Sequence, residues 1–152
     1  MRKACIVFAL VSPVLAQSTR EMNEINWMEF REQVPKKIQT VLLPTGTLEP
    51  HGVLNNGADN TSATAIARAV AAKVNGLVAP VVSYGVVGML NDYPGAFTLT
   101  ESTYRELISE ILAGLARQGF KNIIIINGHG GPQAAIWRTW RARRGRRTVY
   151  GF

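Results

Sequence analysis

The hydrophobic positions of this chain follow two periods, and the points where the period changes mark its elements. Ile38 to Leu43 is a short run rich in β-branched residues and leucine that stops at Pro44 and Gly46, which predicts a buried strand of the parallel type. From Asn60 the period lengthens. Ala63, Ile66, Ala67, Val70, Ala71 and Val74 recur at helical spacing, with Asp59, Asn60 and Thr61 as candidate caps and Gly76 placed to end the helix. Leu77 to Val82 reads as a second strand, and the glycine-punctuated loop from Ser83 to Gly95 is long enough to line a site. Tyr104, Leu107, Ile108, Ile111, Leu112 and Leu115 form the stripe of a second helix, which starts between Thr100 and Thr103 and ends at Gly119. Lys121 to Ile126 is a third strand, continuous in isoleucine and therefore covered on both faces. Ahead of all these, Ile25 to Val34 has the spacing of a short amphipathic helix docked through Trp27 and Phe30 and stopped by Pro35.

Strand, helix, strand, helix, strand is the order of an α/β fold with a parallel sheet and right-handed crossovers. Both ends of the 152-residue chain depart from it. Met1-Arg-Lys, the apolar Ala4 to Leu15 and Val14-Leu-Ala16 make a secretory signal pattern, so residues 1–16 are expected to be removed and the mature chain to begin near Gln17, periplasmic or secreted. Cys5 is in that segment, which would leave the mature protein without cysteine. Residues 17–135 carry the foldable pattern. Residues 136–152 are an arginine-rich tail without a core-forming period, read as disordered or non-native.

The net charge of +7 changes little once it is located. Six arginines lie between Arg138 and Arg147, and Arg2 and Lys3 add two more, so the body between carries −1. Basicity belongs to the ends, and we expect no nucleic-acid partner and no membrane association after signal removal.

Chemistry concentrates after the first and third strands. Glu49 and His51 follow Leu43-Pro-Thr-Gly-Thr-Leu, Asp59 closes the same glycine-containing loop, and His129, the only other histidine, sits in Asn127-Gly-His-Gly-Gly131. In an open parallel sheet both loops reach the crevice beyond the strand ends. Residues two apart in an extended segment point the same way, roughly 6.5 Å between Cα atoms, so Glu49 and His51 can serve one metal centre or two adjacent ones. Carboxylates with imidazoles suit Zn²⁺, Mn²⁺ or Fe²⁺. Each residue alone has an ordinary explanation, Asp59 above all as a helix cap, but four metal-competent groups in two such loops favour ligation.

The motifs Leu43-Pro-Thr-Gly-Thr-Leu-Glu49-Pro-His51-Gly, Gly57-Ala-Asp59-Asn, Tyr93-Pro-Gly95-Ala-Phe-Thr-Leu99 and Gly119-Phe-Lys-Asn-Ile-Ile-Ile-Ile-Asn-Gly-His129-Gly-Gly131 resemble those of the creatininase family of amidohydrolases. The resemblance implies a three-layer α/β fold, a two-metal site and hydrolysis of a cyclic or linear amide C–N bond in a small-molecule substrate. It also implies a homo-oligomer, a hexamer in the family. Asp59 would bridge the metals, Glu49 and His129 would complete one and His51 would hold the other, with Tyr93, Gly95, Asn127, Gly130 and Gly131 lining the substrate pocket. Pro132 stands where the family usually has asparagine and Ala96 where it has threonine. A C-terminal His-Ala-Gly-Glu and Glu-Thr-Ser-like stretch is missing, so the chain is expected to be a C-terminally truncated member with weak or no activity. A non-catalytic α/β module that binds a metal or small ligand, or a degenerate remnant, is the alternative.

Overall fold

The computed structural model describes residues 19–144 and 148–151, and its account of side chains runs to Trp137. The expected signal segment, with Cys5, lies outside the described residues. In chain order the elements are α1 (Trp27–Gln33), β1 (Thr40–Thr45), α2 (Ala58–Ala71), β2 (Gly76–Val78), a 3-10 turn (Gly88–Asp92), α3 (Glu101–Arg117), β3 (Asn122–Asn127), α4 (Gly131–Arg144) and β4 (Thr148–Gly151). The strands form one sheet in the order β2-β1-β3-β4, and every pairing is parallel.

Alternation along the central strands sorts the helices into layers. Leu42 and Ile126 face one way and pack with Ala63, Ala67 and Ala71 of α2. Val41, Leu43 and Ile125 face the other way, toward Tyr104, Ile108 and Leu115 of α3 and Ile136 and Trp137 of α4. The fold is therefore three-layered. Alanine on the buried stripe of α2 lets that helix lie close to the sheet, while its larger Ile66, and Val74 just past its end, are exposed. Leu107 is likewise on the outer side of α3. No helix among the described residues is long and apolar enough to cross a membrane.

β1 leads through α2 to β2 on one side, and β3 leads through α4 to β4 on the other. Helices α2 and α4 cover opposite faces. The gap between the C-terminal ends of β1 and β3 is thus the point where the two connections diverge, the place where an open α/β sheet forms its binding crevice.

Six expectations need correction, the first being β2, which ends at Val78 and not at Val82. The arginine-rich stretch continues α4 to Arg144 and returns as β4, which pairs Ile123 to Ile126 with Thr148 to Gly151 and covers what would otherwise be an open strand edge. Trp27 is 68 % exposed, with Arg31 5.0 Å over its ring. It sits at the outer end of a helix that docks instead through Phe30, edge-on to Phe120 at 6.0 Å. Pro44 does not stop β1. Its carbonyl accepts from Val82 N–H, so its missing N–H also faces the β2 side, where β2 has already ended at Val78. Gly76 opens β2 rather than closing α2, and a Cβ there would lie 2.7 Å from Leu42; the turn itself is made by Asn75 at φ 47°. Asp59 is not a cap: Gly57 holds that position, and the aspartate carboxylate turns inward.

Candidate metal centre

Two glycines bring the β1 loop and the β3 turn together. A Cβ on Gly46 would meet Asn60 Oδ1 at 2.4 Å, and one on Gly128 would meet the Asp59 carbonyl at 2.2 Å. The first turn of α2 is therefore wedged between the two strand ends, and Asp59 is delivered to the crevice by close backbone approach. Asn60 adds to the hold by donating to the carbonyls of Thr47 and Ser83 at 3.0 and 3.3 Å.

At this junction Glu49, Asp59 and His129 offer ligand atoms that all lie within 4.8 Å of one another. His129 Nδ1 is 3.1 Å from Glu49 Oε1 and 2.9 Å from Asp59 Oδ2. The other Asp59 oxygen, Oδ1, is 3.1 Å from His51 Nε2, which stands 3.7 Å from Glu49 Oε1. All four predicted metal-competent residues are thus in one place, with one Asp59 oxygen turned to each histidine. Donors sharing an ion at about 2.1 Å bond length sit roughly 3.0–3.4 Å apart, and the distances here, from 2.9 to 3.7 Å, bracket that range. Glu49 Oε2 and His129 Nε2 are buried and have no hydrogen-bond partner. Two buried carboxylates beside two imidazoles, with donor atoms left over, fit a divalent cation.

The supporting contacts are specific. Thr47 Oγ1 donates to Asp59 Oδ2 at 2.8 Å. His51 Nδ1 lies 3.0 Å from the Glu49 carbonyl, so a neutral ring keeps its proton there and turns the Nε2 lone pair toward Asp59. That backbone bond is the main reason the His51 pKa lies above its ordinary value; partial burial opposes it, and the Asp59 and Glu49 charges reinforce it. Beneath the site, burial pushes the Tyr104 phenol above its usual range, and it stays neutral.

The predicted pocket residues fall into two groups. Asn127, Gly130 and Gly131 belong to the His129 turn: the Asn127 amide donates to the His129 carbonyl, a Cβ on Gly131 would lie 3.8 Å from His129 Nε2, and Gly130 faces open space. Tyr93 and Gly95 do not join the cluster. Their loop runs alongside the metal-bearing loop, with Phe97 N–H donating to the Leu48 carbonyl and Gly95 set tightly against Asn56. Thr47 and Gln133 were not singled out from the sequence. The spacing of Thr47 and Glu49 in one extended segment was the available signal for the first, and nothing in the sequence marked the second.

A pattern for the creatininase family, described as creatinine amidohydrolase, matches residues 23–150 and so includes the arginine-rich stretch. Creatinine amidohydrolase from Pseudomonas putida is 31% identical over 114 residues, which cover 71% of this chain and 44% of that protein. The mycofactocin precursor peptide peptidase of Mycobacterium ulcerans is also 31% identical over 114 residues, covering 68% of this chain and 45% of the relative. A solved manganese form of creatininase superposes with a TM-score of 0.76 at 25% identity, over 88% of this chain and 58% of that structure. The chain spans less than half the length of the two relatives.

Proposed function

Because the chain belongs to the creatininase family, we propose that it is built for metal-dependent hydrolysis of an amide C–N bond in a small substrate. The observation that carries this reading is the buried convergence of Glu49, Asp59 and His129, with the free Asp59 oxygen turned to His51. Glu49, Asp59 and His129 would hold one divalent ion, and Asp59 with His51 would contribute to a second. Manganese and zinc both suit these donors. A bound ion supplies hydroxide near neutral pH and polarises the amide carbonyl.

The chain's own residues do the positioning. Thr47 fixes the Asp59 oxygen shared with His129, and the Glu49 carbonyl fixes the His51 ring. The open space at Gly130 leaves room beside His129 for a substrate group, and the loop carrying Tyr93 and Gly95 would wall the pocket. Among the described residues the His51 position has fewer donors than the His129 position, so we infer that the chain holds one ion better than two and turns over slowly. That thin donor set also supports the second reading, an ion-binding module without catalysis.

Metal analysis combined with an amide hydrolysis assay on creatinine separates these readings. The amidohydrolase reading expects about one equivalent of manganese and slow ring opening that stops on chelation. Ion binding without hydrolysis would select the non-catalytic module, and failure to bind manganese, or hydrolysis that survives chelation, would overturn the metal-dependent reading. Two further parts of the proposal rest on other features. The exposed Val53, Leu54, Met89 and Phe97 support assembly into a homo-oligomer, tested by light scattering. The signal pattern supports export, tested by a mature mass beginning near Gln17; an intact Met1 on exported protein would refute it.

A further inference from the structure

Gln133, on the first turn of α4, is completely buried, and both ends of its amide are engaged. Its Oε1 accepts from the Val86 backbone N–H at 3.1 Å, and its Nε2 donates to Asn127 Oδ1 at 2.8 Å. Asn127 Oδ1 also accepts from Thr45 Oγ1 at 3.1 Å, and Asn127 Nδ2 donates to the His129 carbonyl. A backbone N–H can only donate. Val86 therefore dictates the direction of the whole series: oxygen of Gln133 toward Val86, nitrogen toward Asn127, oxygen of Asn127 toward Gln133, nitrogen toward His129. A Cβ on Gly85 would stand 1.8 Å from Gln133 Oε1, so the loop lies directly on this amide.

We propose that Gln133 is a positioning residue that fixes the His129 turn through Asn127 and ties it to the Gly85 to Val87 loop beside the site. The inference rests on the metal-site reading for its functional consequence, while its structural core stands without any ion. Gln133→Glu keeps the shape but places an acceptor against Asn127 Oδ1, which reverses the polarity on which the series depends. Gln133→Met keeps the length and removes both hydrogen bonds.

The test uses manganese chloride titrated into the metal-free wild type and both variants. Imidazole ¹⁵N and ¹H resonances of His129 are recorded before any metal is added, and thermal unfolding is followed in parallel. We expect the His129 resonances to shift in both metal-free variants, and manganese affinity to fall about 10–100-fold, the usual range for groups that orient a ligand from behind. A residue that merely fills the core would lower the melting temperature and leave the affinity of the folded protein unchanged. Unmoved His129 resonances, or wild-type affinity in the folded Gln133→Met protein, would overturn the proposal. If the wild type itself bound no manganese, the metal-site reading would fall, and the metal-free resonances would still decide the role of Gln133. Should Gln133→Glu not fold, Gln133→Met carries the test alone.

Discussion

The two histidines of this chain follow parallel strands in glycine-rich segments, yet the loop around His51 and the turn around His129 are built differently. The His129 side chain is 8% exposed and faces Glu49 and Asp59 at once, and its backbone carbonyl is held by Asn127, itself held by Gln133 and Thr45. The His51 side chain is 24% exposed, borders exposed residues from Gly52 to Asn55, and is held through its ring alone, Nδ1 at the Glu49 carbonyl and Nε2 at Asp59 Oδ1. The same residue type thus supplies a pre-formed ligand in one place and an adaptable one in the other. What separates them is burial and the side-chain support of the backbone that carries each ring.

Asp59→Asn should have the largest effect, because Asp59 turns one carboxylate oxygen to each histidine at 2.9 and 3.1 Å. We expect manganese affinity to drop on the order of 1,000-fold, roughly 4 kcal/mol, as read by calorimetric titration; retention of the first ion would break the comparison at its centre. Gly128→Ala comes next, since the added methyl would run into the Asp59 carbonyl at the joint between the two regions. It should cost about 1–3 kcal/mol of stability in chemical denaturation and weaken the ion site as well. Thr47→Val keeps the shape and removes the hydroxyl from Asp59 Oδ2, so affinity should fall about 10-fold, at the lower end for such supporting groups, with the fold intact by circular dichroism. Val53→Ser lies on the fully exposed tip of the His51 loop. It should change stability by less than about 0.5 kcal/mol and leave ion binding as it was, and a larger effect would show that this loop is less adaptable than its exposure suggests.

Much of this was legible from residue order alone. Isoleucine from Ile123 to Ile126 and the alanine stripe of α2 gave the sheet and its cover because burial on a given face requires that periodicity. Glu49, His51, Asp59 and His129 stood out because metal-competent side chains seldom recur after two strands by accident. Other features depend on tertiary context that has no local signature. Asp59 has the residue type and place of a cap, and only the opposing imidazoles show where its carboxylate goes. The arginines after Arg138 hid a helix and a strand, since a high charge density reads as solvated chain even where backbone pairing with β3 incorporates it. Gln133 is an unremarkable polar residue until Val86 and Asn127 are found at its two ends.

The burial and support of the His129 turn should make it the stronger of two unequal ion sites. Calorimetric titration of manganese into metal-free wild type, His51→Ala and His129→Ala tests it directly. We predict about one tight equivalent in the wild type, retained within about tenfold in His51→Ala and abolished in His129→Ala. Two equally tight equivalents in the wild type, or binding that is lost with His51 and indifferent to His129, would contradict it.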